Sequence, residues 1–216
     1  MNKKIIDFIK KKNKSKIISL TAYSKNIASI IDKHCDLILV GDSLGSVLYN
    51  FSSTKKVTLD MMIEHSKSVR QGVKKSLLVV DMPHNTYRNS REALNNAKKI
   101  ISKTKCDAVK LEGAKLSQIR ALASSGIPVM GHVGFTPQSV NTLAGYKVLG
   151  RTEQDAARIL QECKDIEAAG AFAVVLEMIP AELAQEISQK LAIPTIGIGA
   201  GADCDGQILV WQDFAG

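Results

Sequence analysis

Hydrophobic positions along the chain come mostly in short continuous runs, at Ile17–Tyr23, Leu37–Asp42, Ser76–Met82, Ala108–Glu112, Val129–Val133, Ala173–Glu177, Thr195–Gly199 and Ile208–Trp211. Such runs suit parallel strands buried on both faces, where neither side of the strand meets water. Between them lie amphipathic stretches that predict helices at about Lys25–His34, Leu59–Gln71, Arg91–Thr104, Lys115–Ser124, Glu153–Ala169 and Ala181–Lys190. Ser90 and Thr152 are candidate N-caps, and Pro180 sits where a first helical turn tolerates proline. Gly72, Gly126 and Gly170 fall just past predicted helix ends, where a left-handed residue commonly closes the helix. Eight strands in this rhythm predict an α/β fold of the (β/α)8 (TIM) barrel type, with an open doubly wound sheet as the runner-up. Only Gln212 to Gly216 follow the eighth predicted strand, so the helix that would cover it is expected to be missing. A chain cut short, or a short form whose gap is covered by a partner subunit, would each read this way.

No Pro/Gly/Ser-rich linker or low-complexity block interrupts the pattern, which predicts one domain over residues 1–216. With 45% hydrophobic and 23% charged residues, the chain has the composition of a globular protein with a sizeable core. Its longest apolar runs, such as Leu77–Val80 and Ala171–Leu176, fall far short of the roughly 20 residues that span a bilayer. The lysine-rich N-terminus has no apolar stretch of signal-peptide length, which predicts a cytoplasmic protein. Cys35, Cys106, Cys163 and Cys204 are widely spaced and predict buried, reduced thiols rather than a zinc site or disulfides. The net charge of +8 comes from residues 1–75, with 15 Lys/Arg against 6 Asp/Glu. Without interleaved aromatics or a binding motif, this excess predicts a solvated face rather than a nucleic-acid surface.

In a barrel of this kind the functional groups gather at the C-terminal ends of the strands. There the sequence places Asp42 and Ser43, Asp81, Lys110 and Glu112, His132, and Glu177. A single acidic residue at a strand end is more often a cap or a loop solvator, but four at equivalent positions point to a site. Lys110 and Glu112 are two apart, so both side chains point to one face, into the barrel. A buried lysine there needs a partner, either Glu112 or, favoured by its place at the mouth, an anionic substrate. Asp42, Asp81 and Glu112 offer hard oxygen ligands without accompanying His or Cys, a set that suits magnesium. His132 is a candidate for bonding the substrate or orienting a ligand, with a satisfied structural histidine as the alternative. Ile196–Gly201 reads as a weak phosphate-cradle signal or as glycines giving room inside the barrel. The long segment Phe135–Arg151 is expected to be functional.

Thr21–Tyr23, Gly41–Gly45, Asp81–Pro83, Val109–Gly113, Gly131–Ser139, Gly145–Lys147, Leu176–Pro180, Ile196–Gly201 and Asp205–Leu209 together resemble the ketopantoate hydroxymethyltransferase family, over nearly the whole chain. The resemblance implies a (β/α)8 fold, Mg2+, methylenetetrahydrofolate as one-carbon donor and α-ketoisovalerate as acceptor, joined through a magnesium-stabilised enolate in pantothenate and coenzyme A biosynthesis. It implies that Asp42, Asp81 and Glu112 serve the metal, that Asp42, Ser43, Asp81 and Lys110 bind the keto acid, and that Glu177 is the catalytic base. It also implies a ring-like homo-oligomer. The family continues for several tens of residues beyond Gly216, and Ala215 stands where a larger apolar residue is usual. Two other readings compete: another magnesium-dependent enolate-forming barrel of the phosphoenolpyruvate lyase/mutase type, and a non-catalytic, truncated scaffold subunit.

Overall fold

The computed structural model describes residues 2–140 and 147–215. Eight parallel strands, β1 (Ile17–Thr21), β2 (Leu37–Val40), β3 (Leu77–Asp81), β4 (Ala108–Lys110), β5 (Val129–Gly134), β6 (Ala173–Glu177), β7 (Thr195–Ile198) and β8 (Gly206–Leu209), pair in chain order, and β8 closes onto β1. The expected closed barrel forms, and the open sheet does not. Helices α1 (Lys3–Ile9), α2 (Lys25–Ile31), α3 (Leu44–Tyr49), α4 (Leu59–Gly72), α5 (Ser90–Thr104), α6 (Leu116–Ser124), α7 (Glu153–Ala168), α8 (Ala181–Lys190) and α9 (Trp211–Ala215), with the 3-10 turns Thr54–Lys56 and Pro137–Ser139, complete the described elements.

Two apolar clusters hold this arrangement. One fills the space between strands and outer helices, with Ile38, Val40, Leu78, Val80, Val109, Ile119, Ile166 and Val174 all buried. The other fills the lower barrel, where Leu37, Leu77, Val79, Ala108, Met130 and Ile196 meet Ile5 and Phe8 of α1. Phe8 packs edge-on against Phe172 with ring centroids 5.8 Å apart. Helix α1 therefore stops the bottom of the barrel. It is too short to show a periodic pattern, which is why the lysine-rich N-terminus reads as a solvated face. Lys12, just beyond α1, is itself buried and sits 2.7 Å from Asp205.

The other departures are local. Asn89, not Ser90, caps α5, accepting from the Glu92 N–H at 2.9 Å. Gly72 closes α4 from inside the helix, without a left-handed backbone, whereas Gly126 and Gly170 have φ of +76° and +100° as expected. The apolar run at Ile208–Trp211 mixes the end of β8 with the start of α9, whose Trp211 N–H donates to Thr21 Oγ1 at 3.0 Å. A helix therefore does begin after the eighth strand. Ile18 on β1 and Leu209 on β8 are 55% and 44% exposed, on neighbouring strands where β8 closes onto β1.

Candidate active site at the barrel mouth

Register explains which side chains meet. Asp81 and Lys110 are opposite one another on β3 and β4, and Gly134 and Glu177 on β5 and β6. Adjacent parallel strands lie about 4.8 Å apart, so side chains at one level on one face come within reach of each other. Lys110 Nζ accordingly lies 3.0 Å from Asp81 Oδ1. Both are buried, so within the chain the lysine's partner is Asp81 on the neighbouring strand rather than Glu112, the one anticipated from spacing within one strand. The second Asp81 oxygen accepts from the Asp42 N–H at 3.1 Å.

His132 links the two sides of the mouth. Its Nδ1 is 3.3 Å from Lys110 Nζ, and its Nε2 is 3.0 Å from Glu177 Oε2. An ammonium only donates, so Nδ1 accepts and the proton of the neutral ring sits on Nε2, toward Glu177. Burial and the Lys110 charge lower the His132 pKa, which keeps the ring neutral. The approach to Glu177 is off the line of a straight hydrogen bond, so the contact is chiefly electrostatic. Glu177 is followed by Met178 at φ +48°, a conformation uncommon for a side chain of this size.

These residues line a cavity of about 290 Å³. That is the small end of ligand pockets, fit for a small acid rather than a drug-sized molecule. Asp42, Ser43, Asp81, Lys110, Glu112, His132 and Glu177 all reach it, so every residue singled out at the strand ends comes to one place. Leu39, Val175, Ile198 and Ile208 supply an apolar wall. Ser43 is within 2.8 Å of the Tyr23 hydroxyl.

Two residues that carry no sequence signal of their own complete the site. Gln138, in the 3-10 turn Pro137–Ser139 after β5, donates from Nε2 to Asp42 Oδ2 at 2.8 Å and from its main-chain N–H to Glu112 Oε2 at 2.9 Å. Tyr87 donates its hydroxyl to Gln138 Oε1 and accepts the Glu112 N–H at 3.4 Å. A hint was present: Gln138 belongs to the polar stretch leaving a strand at the mouth. Of the long segment Phe135–Arg151 expected to be functional, residues 141–146, including Gly145 and Tyr146, lie outside the described residues. Of the Ile196–Gly201 glycines, Gly199 and Gly201 serve the turn, with φ of +61° and +78° and a Cβ on Gly201 meeting Ala181 Cβ at 2.5 Å, while Gly197 lies within β7, where a Cβ would meet Cys204 Sγ at 2.9 Å.

Acidic groups outnumber basic ones in this cavity. Four carboxyl groups face one ammonium and a neutral imidazole. Burial, then the charge of Asp81, pushes the Asp42 carboxyl up to about 7. Burial, then Asp42, holds Glu112 well above the usual carboxylate range. Burial alone would lower Lys110, yet Asp81, Glu112 and Asp42 more than offset it and keep the amine charged. Asp42, Asp81 and Glu112 are the oxygen donors of this set that could hold a divalent cation. Among the described residues no three His, Cys, Asp or Glu side chains form a finished metal cage.

A family model for ketopantoate hydroxymethyltransferase matches residues 2–216. The chain belongs to that family. A 3-methyl-2-oxobutanoate hydroxymethyltransferase from Pelagibacter ubique (strain HTCC1062) is 67% identical over 218 residues, covering 100% of this chain and 84% of the relative. The enzyme of the same name from Chelativorans sp. (strain BNC1) is 50% identical over 213 residues, covering 97% of this chain and 75% of the relative. Among solved structures, a putative phosphonomutase from Burkholderia cenocepacia J2315 superposes with a TM-score of 0.76 at 11% identity, over 99% of this chain and 95% of that one. Phosphonopyruvate hydrolase in complex with oxalate and Mg++ gives 0.72 at 10% identity, over 97% and 81%. At these identities the structural likenesses establish the barrel fold alone, whereas the sequence relatives make this chain a hydroxymethyltransferase family member. Among the described residues no helix is long and apolar enough to cross a membrane.

Proposed function

We propose that the chain transfers a one-carbon unit from methylenetetrahydrofolate to α-ketoisovalerate, forming ketopantoate, with Mg2+ held by Asp42 and Asp81 and with Glu112 beside them. The observation that carries this reading is the division of one small cavity. Asp42, Asp81 and Lys110 occupy one side, Glu177 with His132 the other, and the apolar wall of Val175, Ile198 and Ile208 suits a branched alkyl tail. Magnesium would act as a Lewis acid toward the keto oxygen and acidify the neighbouring C–H. Glu177 takes the C3 proton, and His132 keeps that carboxylate in place through its Nε2–H. Lys110 and Ser43 receive the substrate's carboxylate and developing enolate oxygen. Both C–N bonds that hold the methylene to folate break: water adds to that carbon as the two nitrogens leave protonated, and the C3 carbon bonds to the released one-carbon unit at the aldehyde level, whose oxygen takes up a proton and becomes the product hydroxyl. A cytoplasmic location and assembly with copies of the same chain belong to this reading and rest on the family.

The test is direct. The purified chain with Mg2+, α-ketoisovalerate and methylenetetrahydrofolate is expected to yield ketopantoate, and without folate to exchange the C3 hydrogen into deuterated water. Exchange or cleavage of phosphonopyruvate, with neither of these activities, would overturn the assignment in favour of a lyase/mutase chemistry on the same fold.

A further inference from the structure

We propose that Gln138 is a positioning residue, fixing the two carboxylates of Asp42 and Glu112 through two separate N–H donors so that each keeps one orientation toward the cavity. Gln138 and Tyr87 are both buried, and neither is a family-derived site residue. The bonding is determined by donor and acceptor chemistry. The Met82 carbonyl, 3.1 Å from Gln138 Nε2, only accepts, so that nitrogen is the donating end of the amide, and Asp42 Oδ2 lies 2.8 Å from it. Both amide hydrogens are therefore used, and Oε1 must face Tyr87. Tyr87 in turn must donate to it, and its oxygen accepts the Glu112 N–H. Every member of the set is satisfied in one arrangement and in no flipped one. Such a fully satisfied buried network specifies geometry, whereas loss of one member leaves the others unpaired.

The two donors of Gln138 respond differently to substitution. Its main-chain N–H to Glu112 survives any change of side chain except proline, whereas its amide to Asp42 does not. A side-chain variant thus releases Asp42 alone. This inference rests on the functional reading in one respect, that Asp42 binds Mg2+.

The experiment uses the whole chain, with Mg2+ titrated calorimetrically in the presence of α-ketoisovalerate and ketopantoate formation measured over a Mg2+ series. Gln138→Met keeps the volume and removes the amide. A hydrogen bond to a charged group corresponds to about ten- to one-hundred-fold in affinity, so Mg2+ binding is expected to weaken by about that factor, the KM for Mg2+ to rise with it, and kcat at saturating Mg2+ to stay near wild type. Tyr87→Phe, which frees the amide to rotate, is expected to act in the same direction and less strongly. The double variant is expected to be no worse than Gln138→Met, because the two act as one unit. A fall in kcat with the KM for Mg2+ unchanged overturns the proposal, since that is what a merely structural loss produces. If Gln138→Met does not fold, Tyr87→Phe decides, and unaltered Mg2+ affinity there is equally fatal. A wild-type chain that binds no Mg2+ overturns both readings, whereas wild-type binding with unaltered variants overturns this one alone.

Discussion

His132 Nε2 stands 3.0 Å from Glu177 Oε2 while its Nδ1 faces Lys110 at 3.3 Å, so one neutral ring connects the cationic side of the cavity to its isolated carboxylate. On the proposed reading, loss of Glu177 separates proton removal from binding. Glu177→Gln is expected to bind Mg2+ and α-ketoisovalerate normally and to lose both ketopantoate formation and C3 deuterium exchange, by about 100- to 10,000-fold. NMR reads the exchange directly. His132→Asn is expected to show a smaller loss, about 10- to 100-fold, as for residues that orient a reacting group. Wild-type exchange in Glu177→Gln would shift the base to another group, with His132 first in line.

Asp42 and Asp81 are expected to differ in stability although both are needed for turnover. Asp42→Ala removes a carboxylate that is buried among others of its kind, so the protein should remain folded without Mg2+-dependent activity. Asp81→Ala leaves the buried Lys110 amine without its 3.0 Å partner. Breaking a buried pair from one side costs about 3–5 kcal/mol. Denaturant unfolding in the absence of Mg2+ should rank Asp81→Ala well below Asp42→Ala, and equal midpoints would contradict the pairing.

Gly134 is a steric requirement of Glu177. Its φ is +87°, and a Cβ placed on it would lie 2.2 Å from the Glu177 carbonyl oxygen. Gly134→Ala must push the two strand ends apart, and a displacement of about 1 Å at a reacting group costs on the order of 100-fold. The expected result is a large fall in C3 exchange together with a lowered melting temperature. An active, fully stable alanine variant would show that the mouth is less rigid than drawn.

Asp32 predicts a pH effect far from the cavity. Burial works against its charge, but the main-chain N–H groups of Ser76, Lys75 and Lys74 donate to it at 2.9–3.1 Å and hold its pKa below the ordinary value. The unfolded chain, with a carboxyl near about 4, then binds more protons than the folded one between the two pKa values, and stability rises with pH there. The contribution is complete above the unfolded pKa and is lost as pH falls through the folded one. Asp32→Ala is expected to cost at least about 2 kcal/mol at neutral pH and to flatten the acid limb of the stability profile. A parallel offset at all pH values would argue against the charge as the cause.

The barrel is legible in the sequence because its strands are buried on both sides. Leu77–Asp81 and Ala173–Glu177 are uninterrupted apolar runs ending in an acid, and α8 falls on the predicted Ala181–Lys190. Strand β8 is less legible, since Gly206 and Gln207 open it and its burial alternates. Helices α1, α3 and α9 are five to seven residues long, too short for periodicity to register. The seven residues expected at the site all reach the cavity because strand ends are a topological address. Their pairing is not legible. Asp81 meets Lys110 through the register of β3 against β4, and Gln138 meets Asp42 across 96 positions of sequence, distances that only the closed barrel sets.

The stopper at the bottom of the barrel has a consequence for synthesis. Lys12 is buried against Asp205 and also donates to the Ser188 carbonyl at 2.8 Å, groups 193 and 176 positions later in the chain. Asp205 is simultaneously engaged by the N–H and hydroxyl of Thr195. This early segment thus waits for strands made long after it before it can seat. At about 5–20 residues per second, Ile5, Phe8 and their lysines stay uncovered for some ten seconds or more, and the nascent barrel stays open at its floor until β8 closes on β1.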